Sequence, residues 1–318
     1  MSEIDGLSGS VSVLKGRDVV VRVSAGIADA RSGALCTPRT RFQVASLSKQ
    51  FTAAAVMLLV EDSVLALDVP IPEWWHDCPV QWRGLTLHGL LSHTSGLGHW
   101  QALDGLGLED LRDVRVFLDR FSAVALRNTP GEVWHYSSPG YLVVARIIEQ
   151  ATGRPYAEFV TERILDPCGL KETSLGGPSP QEASRGYRTG RRVDVVEFAA
   201  LPGAADIWST VGDLTAYTAA FNSGTVVTPA SREMMITPRT AITDKWGSLG
   251  PVVADSYGYG YCLGTVAGLG AFFHPGDNPG YVSFLACLPA LDVTVAILAN
   301  EEDVSVSDIL ESVLSAVM

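Results

Sequence analysis

Hydrophobic and polar positions follow a strand-like pattern at both ends of the chain. Ser10–Leu14 and Asp18–Ser24 alternate or run β-branched on either side of a turn centred on Gly16, which predicts a β-hairpin. Near the other end, four further runs predict strands: Tyr259–Ala267, Gly270–Phe273, Tyr281–Leu288 and Val293–Ala299. The last stretch, Val304–Val317, has the spacing of a short amphipathic helix.

Between these ends, roughly over residues 67–250, helical stretches alternate with loops rich in Gly and Pro. The stretches with helical spacing are Thr86–Leu91, Val114–Phe121, Gly140–Thr152, Tyr156–Ile164 and Val211–Asn222. Just before them, Ser46–Glu61 is apolar on nearly every side after a polar first turn. That pattern predicts a buried helix with a polar start.

Strands at both ends with helices between them are typical of an α+β (α/β) fold. We therefore expect an antiparallel sheet built from both chain ends and flanked by helices, with an inserted mainly helical lobe. Residues 1–318 are expected to form a single domain. Its sheet lobe would comprise 1–66 and 255–318, and its helical lobe 67–254.

Composition narrows the class of protein. The chain has 318 residues, of which 47% are hydrophobic and only 18% charged, which excludes a disordered chain. The formal net charge of −12 argues against nucleic acid as a partner, because binding phosphates requires clustered Lys and Arg. Five cysteines without CxxC spacing favour free thiols, and neither an export signal nor an apolar run of membrane-spanning length is visible. We therefore expect a cytoplasmic protein without a membrane partner.

The clearest chemical signal is the segment Ser46-Leu47-Ser48-Lys49. Residues three apart share a helix face, so Ser46 Oγ and Lys49 Nζ can meet. A lysine buried among apolar residues has a lowered pKa and can help to take the serine proton. The start of the helix adds free N–H groups where an oxyanion would form. The same spacing also suits a capping serine followed by a solvated lysine.

Two later tripeptides favour the catalytic interpretation over the capping one: Tyr136-Ser137-Ser138, and His274-Pro275-Gly276 after a strand-like run. Their order and spacing after SxxK resemble the serine β-lactamase and penicillin-binding-protein superfamily. The surrounding sequence segments resemble its class C branch, which also contains family VIII carboxylesterases, D-aminopeptidases and acyltransferases. These segments, between about Phe42 and Asn300, are VASLSKQFTAAAVMLLVE, LTLHGLLSHTSGL, NTPGEVWHYSSPGYLVVARIIEQATGRPY, ILDPCGLKETS, DIWSTVGDLTAY and HPGDNPGYVSF.

The resemblance implies a β-lactamase/transpeptidase-like fold and a role for each motif residue. Ser46 would be the nucleophile that accepts the acyl group, and Lys49 its partner. Tyr136 would be a second general base, as a phenolate stabilised by the Lys49 ammonium. The backbone N–H groups of Ser46 and Asp277 would form the oxyanion hole. His274 would occupy the position of a lysine in the lactamases.

Four further residues are expected at the substrate. Ser138 and Gly276 complete the two tripeptides, and Trp100 follows a turn that contains glycine and could line a cleft. Tyr261 belongs to a run of alternating tyrosines that could form the floor of an acyl or amine pocket. No spacing typical of a metal site is present, and we expect neither a metal nor a cofactor.

Two departures from the family pattern bear on the substrate. Ser138 stands where relatives have an asparagine that binds the substrate amide, and its hydroxyl reaches less far. His274 is neutral for much of the time at pH 7, so it holds a carboxylate less firmly than lysine would.

We therefore expect a serine hydrolase that forms an acyl-Ser46 intermediate, with small-molecule esters or amides as substrates. The alternatives are an acyltransferase or D-specific peptidase and, less favoured, a β-lactamase or a penicillin-binding sensor without turnover. Relatives usually pack an N-terminal helix on the sheet, and this chain begins almost on the first strand. A homo-oligomer formed through a less covered sheet face is a further hypothesis.

Overall fold

The computed structural model describes residues 4, 6–100, 113–176, 182–193, 201–243 and 246–315. In chain order its strands are β1 (Gly9–Lys15), β2 (Asp18–Ala25), β3 (Ile27–Asp29), β4 (Ala34–Leu35), β5 (Phe42–Gln43), β6 (Ser174–Leu175), β7 (Tyr187–Arg188), β8 (Arg191–Arg192), β9 (Ile207–Ser209), β10 (Thr240–Ala241), β11 (Val252–Tyr257), β12 (Cys262–Val266), β13 (Leu269–Asn278), β14 (Tyr281–Leu288) and β15 (Val293–Ala299). Its helices are α1 (Ser48–Glu61), α2 (Leu87–Leu91), α3 (Val114–Ser122), α4 (Ser138–Thr152), α5 (Tyr156–Val160), α6 (Asp166–Cys168), α7 (Val211–Ser223), α8 (Pro229–Met235) and α9 (Val306–Leu314).

The main sheet joins the two ends of the chain. Its strands lie in the order β10-β11-β12-β13-β14-β15-β1-β2, and each neighbouring pair is antiparallel. Because β1 pairs along its whole length with β15, from Gly9 opposite Ala299 to Lys15 opposite Val293, the first strand lies beside the last one. The predicted antiparallel sheet from both chain ends is confirmed.

The boundary of this sheet differs from the expected one. β10 and β11 belong to it although they begin at Thr240 and Val252, and α7 packs against β15 and β1. The predicted strand Tyr259–Ala267 is shortened at its start, because the chain turns through Gly260, with φ +77°, before β12 begins. The division into a sheet lobe and a helical lobe stays a prediction.

Alternating side chains of β14 separate two hydrophobic cores. Phe284 and Ala286 belong to the core that contains Ile309 of α9. Leu285 and Cys287 belong to the other core, which contains the apolar residues of α1, α4 and α7. The sheet is therefore buried between helices on both faces, which is the layered arrangement expected for this fold class.

The predicted helices are found, with small shifts at their ends. α4 begins two residues earlier than expected because the Ser137 side chain caps it, accepting a hydrogen bond from the Gly140 N–H group. Tyr156–Ile164 is divided into α5 and a π turn at Thr161–Leu165. The predicted end of the last helix, Val317, lies outside the described residues. In the part of the chain that is described, no helix combines the length and hydrophobicity needed to cross a bilayer.

Candidate active site

Ser46 lies in a 3₁₀ turn, Ala45–Leu47, directly before α1, and the end of β13 packs against this turn. Gly276 makes the close approach possible: a Cβ added there would stand 2.7 Å from Val44 O and 3.1 Å from Ser46 N. Ser283, opposite Gly276 on β14, donates its hydroxyl to Val44 O at 2.8 Å. The Ser46 turn is thus held against the sheet through contacts that need glycine at position 276.

Two side chains, one from α1 and one from the loop before α4, meet at the Ser46 hydroxyl. Lys49 Nζ donates to Ser46 Oγ at 3.1 Å and to the Ala204 carbonyl at 2.9 Å. Tyr136, which ends the loop before α4, donates its hydroxyl to Ser46 Oγ at 2.9 Å. Lys49 Nζ also lies 5.0 Å from the centre of the Tyr136 ring. The structure brings together the three residues that the motif order selects.

Burial determines the charge states of these groups. It lowers the pKa of Lys49 to about 7, and the negative charge of Asp206 offsets this effect only in part. It raises the pKa of Asp206 to about 7 as well, and the pKa of Tyr136 above its usual range. Burial therefore favours the neutral phenol of Tyr136, and its role as a phenolate base stays a prediction. Lys49 is the group beside Ser46 that can lose a proton near neutral pH.

The predicted oxyanion hole falls at the contact between the Ser46 turn and β13. Ser46 N lies beside Gly276, and Asp277 follows Gly276 on the strand. Two backbone N–H groups near the reacting carbonyl would stabilise the charge that develops on its oxygen. Their role stays a prediction.

His274 lies below the site rather than in it. Its Nδ1 atom lies 2.5 Å from the Pro275 carbonyl and donates to it, so Nε2 accepts from the Tyr257 hydroxyl at 2.9 Å. Burial and the Lys49 charge lower the pKa of His274 to about 3, which keeps the ring neutral. His274 is fully buried, and the expected contact with a substrate carboxylate is wrong because both ring nitrogens are occupied within the core.

A cleft of about 600 Å³ opens beside Ser46. Trp100, Ser138 and Gly276, which were expected at the substrate, line it together with Asp277. The other lining residues are His99, Trp134, His135, Tyr136, Trp246, Gly247, Ser248, Leu249, Pro275, Val282, Ser283, Phe284 and Val306. Among the described residues of this wall, Asp277 is the one carboxylate and none is Lys or Arg. Within the described ranges, no three His, Cys, Asp or Glu side chains are grouped to hold a metal ion.

Tyr261 does not take the place expected of it. Its ring lies 5.2 Å from that of Phe221 and 5.5 Å from that of Phe272, inside the core under α7. The reason is the turn at Gly258 and Gly260, which removes Tyr261 from the strand alternation on which the expectation rested. Tyr261 therefore packs in the core and not against substrate.

Three residues beside the site were not singled out from the sequence as site residues. Trp246 stacks on Tyr136 with ring centres 4.0 Å apart, and the His93 ring lies 4.5 Å from the same tyrosine. His93 Nδ1 accepts the Ser137 N–H group at 3.2 Å, which helps to fix the start of α4. Asp206 is an acidic residue in the apolar run LPGAADIW, and a charge in such a run is a signal that could have revealed it.

The chain belongs to the β-lactamase family, because the family model described as Beta-lactamase matches residues 2–316. Esterase EstB of Burkholderia gladioli is 31% identical over 202 residues, which cover 58% of this chain and 51% of that protein. A D-aminopeptidase of Brucella anthropi is 34% identical over 179 residues, which cover 54% of this chain and 33% of that protein. The matched part thus spans about half or less of these two relatives.

Among solved structures, a penicillin-binding protein from Bacillus halodurans superposes with a TM-score of 0.85 at 24% identity, covering 98% of this chain and 96% of that one. This likeness confirms the predicted β-lactamase/transpeptidase-like fold. Membership of the family, together with the esterase and D-aminopeptidase relatives, supports the predicted class of enzyme, a serine hydrolase.

Proposed function

We propose that the protein hydrolyses carboxylic esters and small amides through an acyl-Ser46 intermediate. The observation that carries this proposal is the convergence of Lys49 Nζ and the Tyr136 hydroxyl on Ser46 Oγ, at 3.1 and 2.9 Å. A serine hydroxyl becomes a good nucleophile when an adjacent base removes its proton. Lys49, with its pKa lowered to about 7, can do so as the neutral amine.

The chemistry follows from these positions. The Lys49 amine accepts the Ser46 proton as Oγ attacks the substrate carbonyl, and the N–H groups of Ser46 and Asp277 stabilise the oxyanion. The Tyr136 phenol gives its proton to the leaving group and recovers one from the Lys49 ammonium. Water then attacks the acyl-enzyme and gives its proton to the Lys49 amine. Ser46 leaves as the free hydroxyl, because Tyr136 protonates it as it protonated the first leaving group.

The lining of the cleft favours esters and small amides over β-lactams. The described lining has no Lys or Arg for the carboxylate that penicillins carry, and His274 is buried and neutral. Ser138 supplies a single short hydroxyl where relatives have an amide. An ester needs neither a cation for a carboxylate nor an amide partner, so the absence of these groups affects ester turnover least.

A substrate panel tests this proposal. We expect p-nitrophenyl acetate and butyrate to be turned over faster than D-alanyl p-nitroanilide, and nitrocefin slowest. Ser46→Ala should abolish all three activities. Ser12→Ala is the matched control, because Ser12 is a buried serine on β1 whose hydroxyl has no hydrogen-bond partner among the described residues. Ester turnover that survives Ser46→Ala would contradict the proposal.

Two alternatives keep the same acyl-enzyme. The D-aminopeptidase relative favours a D-specific amidase, which would make D-alanyl p-nitroanilide the best substrate in the panel. An acyltransferase would pass the acyl group to an amine or alcohol, so adding amines to the assay would yield amide product and raise the release of p-nitrophenol. The cytoplasmic location and the homo-oligomer stay predictions.

A further inference from the structure

The cleft extends around the end of β13. β12 pairs with β13 only as far as Cys262 opposite Phe273, so residues 274–278 extend beyond that pairing. On the other side β13 remains paired with β14, with Gly276 opposite Ser283. This segment lies between two groups of cleft residues, one on each face of the sheet.

Strand alternation assigns the residues to the two faces. Gly276 and Ser283 share the face of Ser46, as their contacts with the Ser46 turn show. Pro275 is opposite Phe284, and Asp277 is opposite Val282, so these four residues share the other face. On that face the cleft also reaches two residues from outside the pair of strands, Leu249 and Val306. We call this part the outer chamber; its residues are Leu249, Pro275, Asp277, Val282, Phe284 and Val306.

The outer chamber combines an apolar wall with one carboxylate. Five of its six residues are apolar, and Phe284 and Val306 belong to the core under α9. Asp277 stays exposed to the cleft, and among the described residues its carboxylate has neither a hydrogen-bond donor nor a cation as partner. Partial burial, and the negative charge of Glu302, raise the pKa of Asp277. A protonated amine bound there would favour the ionised carboxylate and so oppose this rise in pKa.

We propose that the outer chamber binds an apolar substituent of the substrate that ends in a protonated amine, with the Asp277 carboxylate pairing with the ammonium group. This inference rests on the proposed function, since it names the substrate class for the same cleft. Asp277 adjoins the strand residue that contacts the Ser46 turn. A substituent of several carbons can therefore pass around β13 while the reacting carbonyl stays at Ser46.

Two pairs of esters of equal length test the proposal at about pH 7.5, where a primary amine is charged. The acyl pair is p-nitrophenyl 6-aminohexanoate and p-nitrophenyl heptanoate; the leaving-group pair is the acetates of 6-aminohexanol and heptanol. We expect at least one pair to show a kcat/KM about tenfold higher for the amine, as a charge-assisted hydrogen bond would give. Asp277→Asn should remove the preference, whereas Glu311→Gln, which removes an exposed charge from α9, should keep it.

A second variant tests the apolar wall. Val306→Phe should lower kcat/KM for both long acyl esters relative to p-nitrophenyl acetate, because the larger ring fills the chamber. Equal rates within both ester pairs, or a preference that persists in Asp277→Asn, would overturn the proposal.

A failure of the hydrolase proposal can be distinguished from a failure of the chamber proposal. Turnover of p-nitrophenyl heptanoate that survives Ser46→Ala, or is absent from the wild type, would contradict the hydrolase proposal alone. The chamber is then tested by calorimetry on the Ser46→Ala protein. Hexylamine should bind more tightly than hexanol, and Asp277→Asn should abolish the difference. Equal binding of the two ligands would overturn the chamber proposal.

Discussion

The start of α1 and the end of β13 meet at the same cleft, but they contribute to it in different ways. From α1, the amine of Lys49 reaches Ser46 directly, within one helical turn. From β13, the site receives backbone and a glycine, while the side chain of His274 is held in the core by Tyr257 and the Pro275 carbonyl. A titratable group in a motif therefore takes part in the site only if the fold brings it into contact with the reacting atom, as it does for Lys49 and not for His274.

The largest loss of kcat/KM is expected when Lys49, the base on α1, is replaced. Lys49→Met keeps the length and apolar stem of the side chain but removes the base, and we expect kcat/KM for p-nitrophenyl butyrate to fall by about 10³-fold. The unfolding midpoint is measured alongside, because the variant also removes the hydrogen bond from Lys49 to the buried Ala204 carbonyl. Lys15→Met, at the exposed end of β1, is the control and should retain full activity. A loss of less than tenfold in Lys49→Met would contradict the role given to α1.

The next largest loss of activity is expected when the backbone of β13 is displaced from the Ser46 turn. Gly276→Ala places a Cβ 2.7 Å from Val44 O and 3.1 Å from Ser46 N, so the strand must move away from the Ser46 turn. We expect about a 10²-fold loss in kcat, similar to that for a misplaced oxyanion donor. Gly270→Ala is the matched control on the same strand, because no atom lies within 4 Å of its added Cβ. Equal activity of the two variants would show that the contact at 276 is not needed.

The pH dependence of kcat/KM distinguishes Lys49 on α1 from His274 on β13. With the Lys49 pKa at about 7, kcat/KM should rise with pH through a midpoint near 7, because the neutral amine is the active form. The Asp206 charge raises the pKa of Lys49, so Asp206→Asn should move the midpoint to lower pH. His274, whose pKa is lowered to about 3, should leave no inflection between pH 5 and 9 in the wild-type profile. The check is a pH–rate profile of wild type and Asp206→Asn, with Asp119→Asn on α3 as the control.

The smallest effect on catalysis is expected at His274. His274→Gln should leave unchanged the ratio of kcat/KM for the p-nitrophenyl monoester of glutarate to that for p-nitrophenyl hexanoate. The buried ring does not reach the substrate carboxylate. The same variant should lose about 1–3 kcal/mol of unfolding free energy, because glutamine cannot reproduce both hydrogen bonds. A ratio that falls in His274→Gln would restore the carboxylate-binding role.

The difference between these regions also explains what could be predicted from the sequence. The contact between Ser46 and Lys49 is local to a helix, and the β1–β2 hairpin depends on a turn centred on Gly16, so both follow from short-range patterns. Tyr261 is placed by a turn at two glycines, and alternation alone does not show where a strand begins.

His93 and Trp246 reach the site through long-range packing, which no short sequence pattern shows, whereas Asp206 could have been found as a charge within an apolar run. The pKa of Tyr136 depends on burial by several elements at once, which no short sequence pattern shows. Asp277 was expected for its backbone alone, and only the pairing of β13 with β14 shows which face its side chain occupies.

The most direct test of the central claim is peptide mapping by mass spectrometry after reaction with a fluorophosphonate. We expect one adduct, on Ser46, that forms in the wild type, forms much more slowly in Lys49→Met, and is absent from Ser46→Ala. An adduct on another residue, or equal labelling of the wild type and Ser46→Ala, would contradict the account.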